Sequence, residues 1–278
     1  MKSVVADYRY RVLCMRIVPI SGSVIYLTDY VKDLSMGGHT YLSTSGYQFS
    51  GYSATADFSP ASIDIEGIAA ASGMTRAAIS SGVFDGARYY CFATDWTSPA
   101  EDEEPITVGI FGKATLLDDL YQISGTSLVD VLGQTVGQTY GAQCPRVFCD
   151  SVCGVSLAAN TVTGTLTSVT SASVFYAAAR TEAADTFGAG TIQFTSGLNA
   201  GLKPIEVKSF AAGVFTTFEP FYYLPAVGDS YTAVRGCRKR SSDCKSRWNG
   251  SGTFNNILNF AGFEFIPTGN TYAQYGKN

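Results

Sequence analysis

The chain is cut into short runs in which apolar and polar residues alternate, rich in Tyr, Thr, Val and Phe, and each run stops at Gly, Ser, Asn or Asp. Period-two alternation sets one face of an extended segment on a core and the other in water, and the stop residues supply the turns. Residues 24–27, 62–65, 106–113, 122–125, 191–195, 203–210, 214–218 and 230–234 are the expected strands, and the Thr-, Ser- and Val-rich stretch 160–170 also reads as β structure. Helical periodicity is scarce. Residues 75–80 are one short candidate, with Thr75 or Gly73 near its start. Residues 127–133 are another, with Ser127 as the cap ahead of Leu128, Val131 and Leu132. The expected fold class is mainly β: two β-rich, barrel- or sandwich-like domains with few short helices, spanning 1–139 and 140–278.

The hydrophobic share of 46% is that of an ordinary globular chain, and no apolar stretch is long enough to span a bilayer. Arg9, Arg11 and Arg16 interrupt the first apolar positions, which lack the pattern of a secretory signal. Folding in a reducing cytoplasm is therefore expected. In that compartment seven cysteines, an odd number, do not make a disulfide framework. Cys14 and Cys91 lie inside apolar runs and read as small buried hydrophobes.

The remaining cysteines are different. Eight residues separate Cys144 from Cys153, six separate Cys237 from Cys244, and more than eighty lie between the pairs. Both pairs sit in Gly- and Arg-bearing sequence that reads as loop. Thiolates from two such loops select zinc or an iron–sulfur cluster, each of which takes four ligands. The gaps are wider than the knuckle of about two to four residues that structural zinc favours. They suit a cubane, whose irons spread the ligands apart. Arg235, Arg238, Lys239, Arg240, Lys245 and Arg247 surround the second pair against one acid, Asp243, and would offset a negative cluster. Zinc and metal-free buried thiols stay open as alternatives, and Cys149, inside the first pair, is a competing ligand.

Little else in the chain looks like chemistry. The single histidine, His39, lies beside Gly37 and Gly38 and reads as a polar turn residue, which argues against hydrolases that need an imidazole. No phosphate-binding glycine loop is present, and residues 188–190 and 195–201 read as turns between strands. A net charge of −4 implies no global attraction to nucleic acid. The acidic run Glu101, Asp102, Glu103 and Glu104 reads as a solvated loop. The aromatic tail, with Phe254, Phe260, Phe263, Phe265 and Tyr272, is expected to pack on another surface.

The flanks of the cysteines are more specific. The first pair reads Cys144-Pro145-Arg146-Val147-Phe148-Cys149-Asp150-Ser151-Val152-Cys153-Gly154-Val155. The second reads Gly236-Cys237, six residues, Cys244, then Arg247 and Asn259-Phe260-Ala261-Gly262-Phe263 ahead of Pro267. Between them stand Phe194-Thr195-Ser196-Gly197, Asn199-Ala200-Gly201, Glu206-Val207-Lys208, Pro225 and Gly228-Asp229. Together these motifs resemble the tail-tip or baseplate hub family of long-tailed phages and gene transfer agents. Gly73-Met74-Thr75-Arg76 and Gly82, Phe84-Asp85-Gly86-Ala87 match weaker patterns. The likeness is strong over 140–267, loose over 1–139 and absent beyond Pro267.

That resemblance implies a structural virion protein of the tail tip rather than an enzyme. It implies a homotrimer joining the distal tail protein to the central tip or fibre protein. Such a ring lines the lumen through which DNA passes, without sequence-specific binding and with no small-molecule substrate. Assembly would take place in the host bacterial cytoplasm. It further implies a [4Fe–4S] cluster on Cys144, Cys153, Cys237 and Cys244 that staples the second domain, with Zn as the alternative occupant. The family commonly holds glycine at position 149, so Cys149 is an extra thiol there, and Arg238 replaces a usual acid. The rival from another class is a zinc-stabilised β-sandwich adhesin or receptor-binding protein of the virion, with Trp96, Tyr222, Tyr223 and Trp248 as stacking surfaces, although these aromatics read first as core or subunit contacts.

Overall fold

The structure, a computed structural model, describes residues 5, 7–43, 48–49, 62–69, 74–129, 137, 140–246 and 255–266. It divides into two compact units, Met1–Thr135 with Gly201–Lys203 and Val136–Ala200 with Pro204–Asn278. Both are mainly β. No helix among the described residues is long and apolar enough to cross a membrane.

The first unit is built on β1 (Arg11–Val18), β2 (Ile25–Thr28), β5 (Gln48–Phe49), β6 (Ser62–Ile68), β7 (Arg88–Asp95), β8 (Glu104–Leu117) and β9 (Leu120–Ser127). These form one sheet in the order β2-β1-β7-β8-β9-β6-β5, antiparallel at every pairing. A hairpin of β3 (Leu34–Met36) and β4 (His39–Tyr41) adds Leu34, Met36 and Tyr41 to a core with Val12, Cys14 and Phe92. β9 alternates strictly between exposed and buried positions. β1 and β7 do not: Cys91, Phe92, Ala93 and Thr94 are buried in succession, so the strand is covered on both faces and reads as an apolar run. Cys14 and Cys91 are buried as expected, and burial pushes both thiols up to about 12.

The short helix α1 (Arg76–Ser80) starts where the sequence placed it, with the Thr75 hydroxyl accepting from the Ala78 N–H at 3.2 Å. The turn behind it carries the weaker motif. Gly82 and Gly86 adopt positive φ, Phe84 and Ala87 are fully buried, and Asp85 accepts from the Ala114 N–H at 3.1 Å, fastening the turn to β8.

Several expectations are corrected in this unit. The acidic run is not a solvated loop. Glu101 accepts from Arg16 at 2.9 Å and from the Tyr41 hydroxyl at 2.8 Å, Glu103 accepts from Thr94 and the Asp95 N–H, and Glu104 pairs with Arg11. Two of the arginines that break the first apolar run, Arg11 and Arg16, are thus the partners of these acids across the sheet, while Arg9 pairs locally with Asp7. His39 opens β4 rather than sitting in the turn, and its ring stacks on Tyr26 at 4.4 Å. Trp96, by contrast, meets the expectation that it is a core contact: it packs against Tyr10 and Tyr30 at the edge of the core. Ser127 ends β9 with its hydroxyl unpartnered among the described residues rather than capping; Val129 is helical, and the rest of the expected helix, residues 130–133, lies outside them.

The second unit carries α2 (Leu157–Asn160) and strands β10 (Thr161–Thr165), β11 (Ser168–Ser171), β12 (Val174–Tyr176), β13 (Thr191–Phe194), β14 (Ile205–Ala211), β15 (Val214–Thr217) and β16 (Ser230–Val234). Their order is β10-β16-β13-β14-β15-β12-β11, again antiparallel throughout. The core is aromatic: Phe175, Phe187, Phe194, Phe210, Phe215, Phe221 and Tyr231 meet ring to ring at centroid separations from 4.6 to 6.0 Å. The middle motifs are turn chemistry. The Asn199 and Tyr223 backbone–side-chain bonds are reciprocal at 2.9 and 3.0 Å, and Asp229 accepts from the Ala226 N–H across the Gly228 turn.

Candidate metal centre

Cys237 lies three residues beyond the end of β16, so the sheet delivers it directly. Its approach is fixed by close packing. A Cβ on Gly236 would fall 1.9 Å from the Gly188 carbonyl oxygen, 2.4 Å from the Gly190 nitrogen and 2.5 Å from the Ala189 carbonyl carbon. Only glycine fits against that turn, which accounts for the glycine ahead of Cys237. The turn at 188–190 is itself held by the Ala189 N–H to Val207 and the Val207 N–H to Gly190.

The following segment is partly helical, where the sequence suggested a loop. Arg238 donates its N–H to Asp243 at 2.9 Å, and α3 (Ser241–Ser246) carries Cys244, whose N–H reaches the Arg240 carbonyl at 3.1 Å. Both ends of the first cysteine pair are pinned. The Cys144 N–H donates to the Lys239 carbonyl at 2.8 Å, and the Lys239 ammonium donates to the Arg146 carbonyl. Asp150 accepts from the Val152 and Cys153 N–H groups, and its carbonyl takes the Gly154 N–H. Gly154 has φ +73, which explains the glycine after Cys153.

The tail motif closes the site. Gly262 packs on the backbone of residues 142–143, where a Cβ would meet the Ala142 oxygen at 2.8 Å. The Phe263 N–H donates to the Gly141 carbonyl, and its ring meets Tyr140 at 4.8 Å. Arg146 Nη1 donates to the carbonyls of Val152 and Asn259 at 2.8 and 2.7 Å. The aromatic tail is thus only partly packed: Phe260 lines the site, whereas Phe265 is 93% exposed. Phe254 and Tyr272 lie outside the described residues.

These segments enclose a narrow pocket of about 20 Å³ lined by Cys144, Cys153, Cys237 and Cys244, together with Arg146, Lys239, Arg240, Phe148, Asn259 and Phe260. The four candidate cysteines therefore share one wall-to-wall space, and all four are half-buried. Burial first, then proximity to Cys237, Cys144 and Cys153, pushes the Cys244 thiol up to about 11. Four soft donors beside three cations have the chemistry of a site for an anionic iron–sulfur cluster. Among the described residues, no group of three or more His, Cys, Asp or Glu side chains is placed to hold a metal ion as the side chains stand.

Cys149 does not line this pocket. Its backbone holds φ +64, the left-handed region that suits glycine, and burial pushes its thiol up to about 11. The glycine expected at this position is thus a conformational demand. The positive charge is also redistributed. Arg235 is buried, donating to the Ala159 carbonyl and lying over the Phe187 ring, and Arg238 pairs with Asp185. Lys245 is exposed, and Arg247 and Trp248 lie outside the described residues. Arg146, a cation inside the first cysteine pair, is the pocket charge that sequence reasoning left unassigned.

Residues 6–156 match the family described as baseplate hub protein, N-terminal attachment domain. Residues 185–270 match the family described as phage conserved hypothetical protein BR0599. No curated protein sequence matches the chain. Among solved structures, a chain of the "Virion of native gene transfer agent (GTA) particle" superposes with a TM-score of 0.78 at 24% sequence identity. The match covers 93% of this chain and 88% of that one, a likeness of fold.

Proposed function

Because this chain belongs to the baseplate hub protein family of phages and gene transfer agents, a family of structural virion proteins, we propose that it forms the tail-tip hub as a trimer held rigid by a [4Fe–4S] cluster. Three copies close a threefold ring under the distal tail protein, continue the lumen through which DNA leaves, and seat the central tip or fibre protein. The role is mechanical, and the chain acts as a scaffold rather than a catalyst.

The observation that carries the cluster is the shared pocket: cysteines more than eighty residues apart in sequence line one space beside Arg146, Lys239 and Arg240. Cys144, Cys153, Cys237 and Cys244 would hold the group. When bound, it supplies four thiolate–iron bonds that tie the 144–153 segment to the 237–244 segment. The chain's own residues do the rest. Arg146, Lys239 and Arg240 offset the cluster's negative charge, and Phe148 and Phe260 screen it from water. Sequence gaps of eight and six residues, wider than the zinc knuckle, suit a cubane better than a single ion.

The reading is tested in particles. Cys153→Ser should yield virions defective in tail assembly or DNA delivery, with density for the hub weakened at the threefold tip by electron cryomicroscopy. Fully infectious particles with an intact tip would remove the mechanical role.

A further inference from the structure

We propose that Asn256 is a positioning residue of the cysteine centre, bridging the two cysteine pairs and offering an N–H to the sulfur of Cys153; this rests on the four-thiol reading above. Three of its groups are engaged at once. Its N–H donates to the Cys244 carbonyl at 2.8 Å, and in the metal-free chain its carbonyl accepts the Cys244 S–H at 3.1 Å, a bond given up when that thiol loses its proton to become a ligand. Its side-chain Nδ2 donates to the Cys153 carbonyl at 2.6 Å and stands 3.8 Å from Cys153 Sγ. One residue, distant in sequence from the first pair, thus touches one cysteine of each pair.

The carboxamide cannot turn freely. Its Oδ1 accepts from Asn259 Nδ2 at 2.8 Å, which leaves the amino group facing Cys153. Asn259 is in turn fixed by Arg146, which lines the same pocket. The chain Arg146–Asn259–Asn256–Cys153 is a continuous hydrogen-bonded brace. N–H groups aimed at cluster sulfurs stabilise the reduced, more negative state and raise its potential, and outer-shell partners of this kind also set metal retention.

The test uses the full chain reconstituted anaerobically with ferrous iron and sulfide, comparing wild type with Asn256→Ala and with Asn256→Asp, which keeps the shape without the N–H donor. The variants should assemble the cluster, lose iron to a chelator at least about tenfold faster, and show a more negative reduction potential, with Asn256→Asp the most negative. Unchanged potential and unchanged loss would overturn the proposal. If the wild type takes up no iron, the four-thiol reading fails by itself, and the brace is then read in the metal-free chain by mapping alkylation of each cysteine. Selective acceleration at Cys153 in Asn256→Ala, with Cys144 and Cys237 unchanged, supports the brace. Equal rates at every cysteine overturn it.

Discussion

Gly236→Ala should uncouple Cys237 from its sheet. The backbone at Gly236 is outside the left-handed region, so alanine suffers no dihedral strain there and would by itself gain a few tenths of a kcal/mol from a stiffer unfolded chain. The obstacle is steric. Three backbone atoms of the 188–190 turn lie 1.9 to 2.5 Å from the new Cβ, so something must move by more than about 1 Å. The turn resists. Ala189 and Gly190 are bonded to Val207 in β14, and a Cβ on Gly190 would itself meet the Val234 oxygen at 2.1 Å. Overpacking of about 1–3 kcal/mol and one or two lost backbone bonds at about 1 kcal/mol each sum to about 3 kcal/mol. In a unit of this size that is a fall in Tm of about 10 °C. Thermal unfolding of the metal-free chain by circular dichroism measures it, with Gly141→Ala as control because nothing lies within 4 Å of its Cβ. A metal-free Gly236→Ala chain melting within about 1 °C of the metal-free wild type would refute the close-packing argument.

Three further outcomes follow from other parts of the molecule. Cys149→Gly should raise stability by about 0.5–1 kcal/mol by relieving the left-handed backbone, and leave metal content unchanged; a fall in bound metal would make Cys149 a ligand. Glu101→Gln should cost the first unit about 1–2 kcal/mol by removing the charge that faces Arg16, seen as a lower urea midpoint; an unchanged midpoint would mean the pair is neutral in effect. Burial raises the Asp29 carboxyl above its ordinary range, so the folded chain holds that proton more tightly than the unfolded one. This contribution favours folding below the ordinary carboxylate pKa and is lost as pH rises through the raised value. Asp29→Asn should therefore gain on the wild type at neutral pH, the advantage shrinking as pH falls through the carboxylate range; a pH-independent difference in urea midpoints would contradict it.

The sheets were legible wherever one face is wet. β9 and β16 alternate, and their positions follow from the sequence directly. β1 and β7 were seen only as apolar runs, because burial on both faces removes the alternation that marks a strand. The acidic run failed for a different reason: its partners, Arg11 and Arg16, lie some ninety residues earlier, and local charge density says nothing about a cross-sheet neighbour. At the centre, cysteine spacing identified the four pocket-lining thiols, and the glycines of their motifs prove to be positions where a Cβ or a negative φ does not fit. Asn256 was invisible, since its role rests on backbone groups as much as on its side chain.

The most direct measurement is the iron and acid-labile sulfide content of the full chain purified anaerobically, read with its visible absorption. About four iron and four sulfide per chain, with broad absorption near roughly 400 nm that vanishes in Cys237→Ser and persists in Cys149→Gly, is the predicted result. A colourless protein carrying one zinc per chain, or no metal at all, would contradict the iron–sulfur staple.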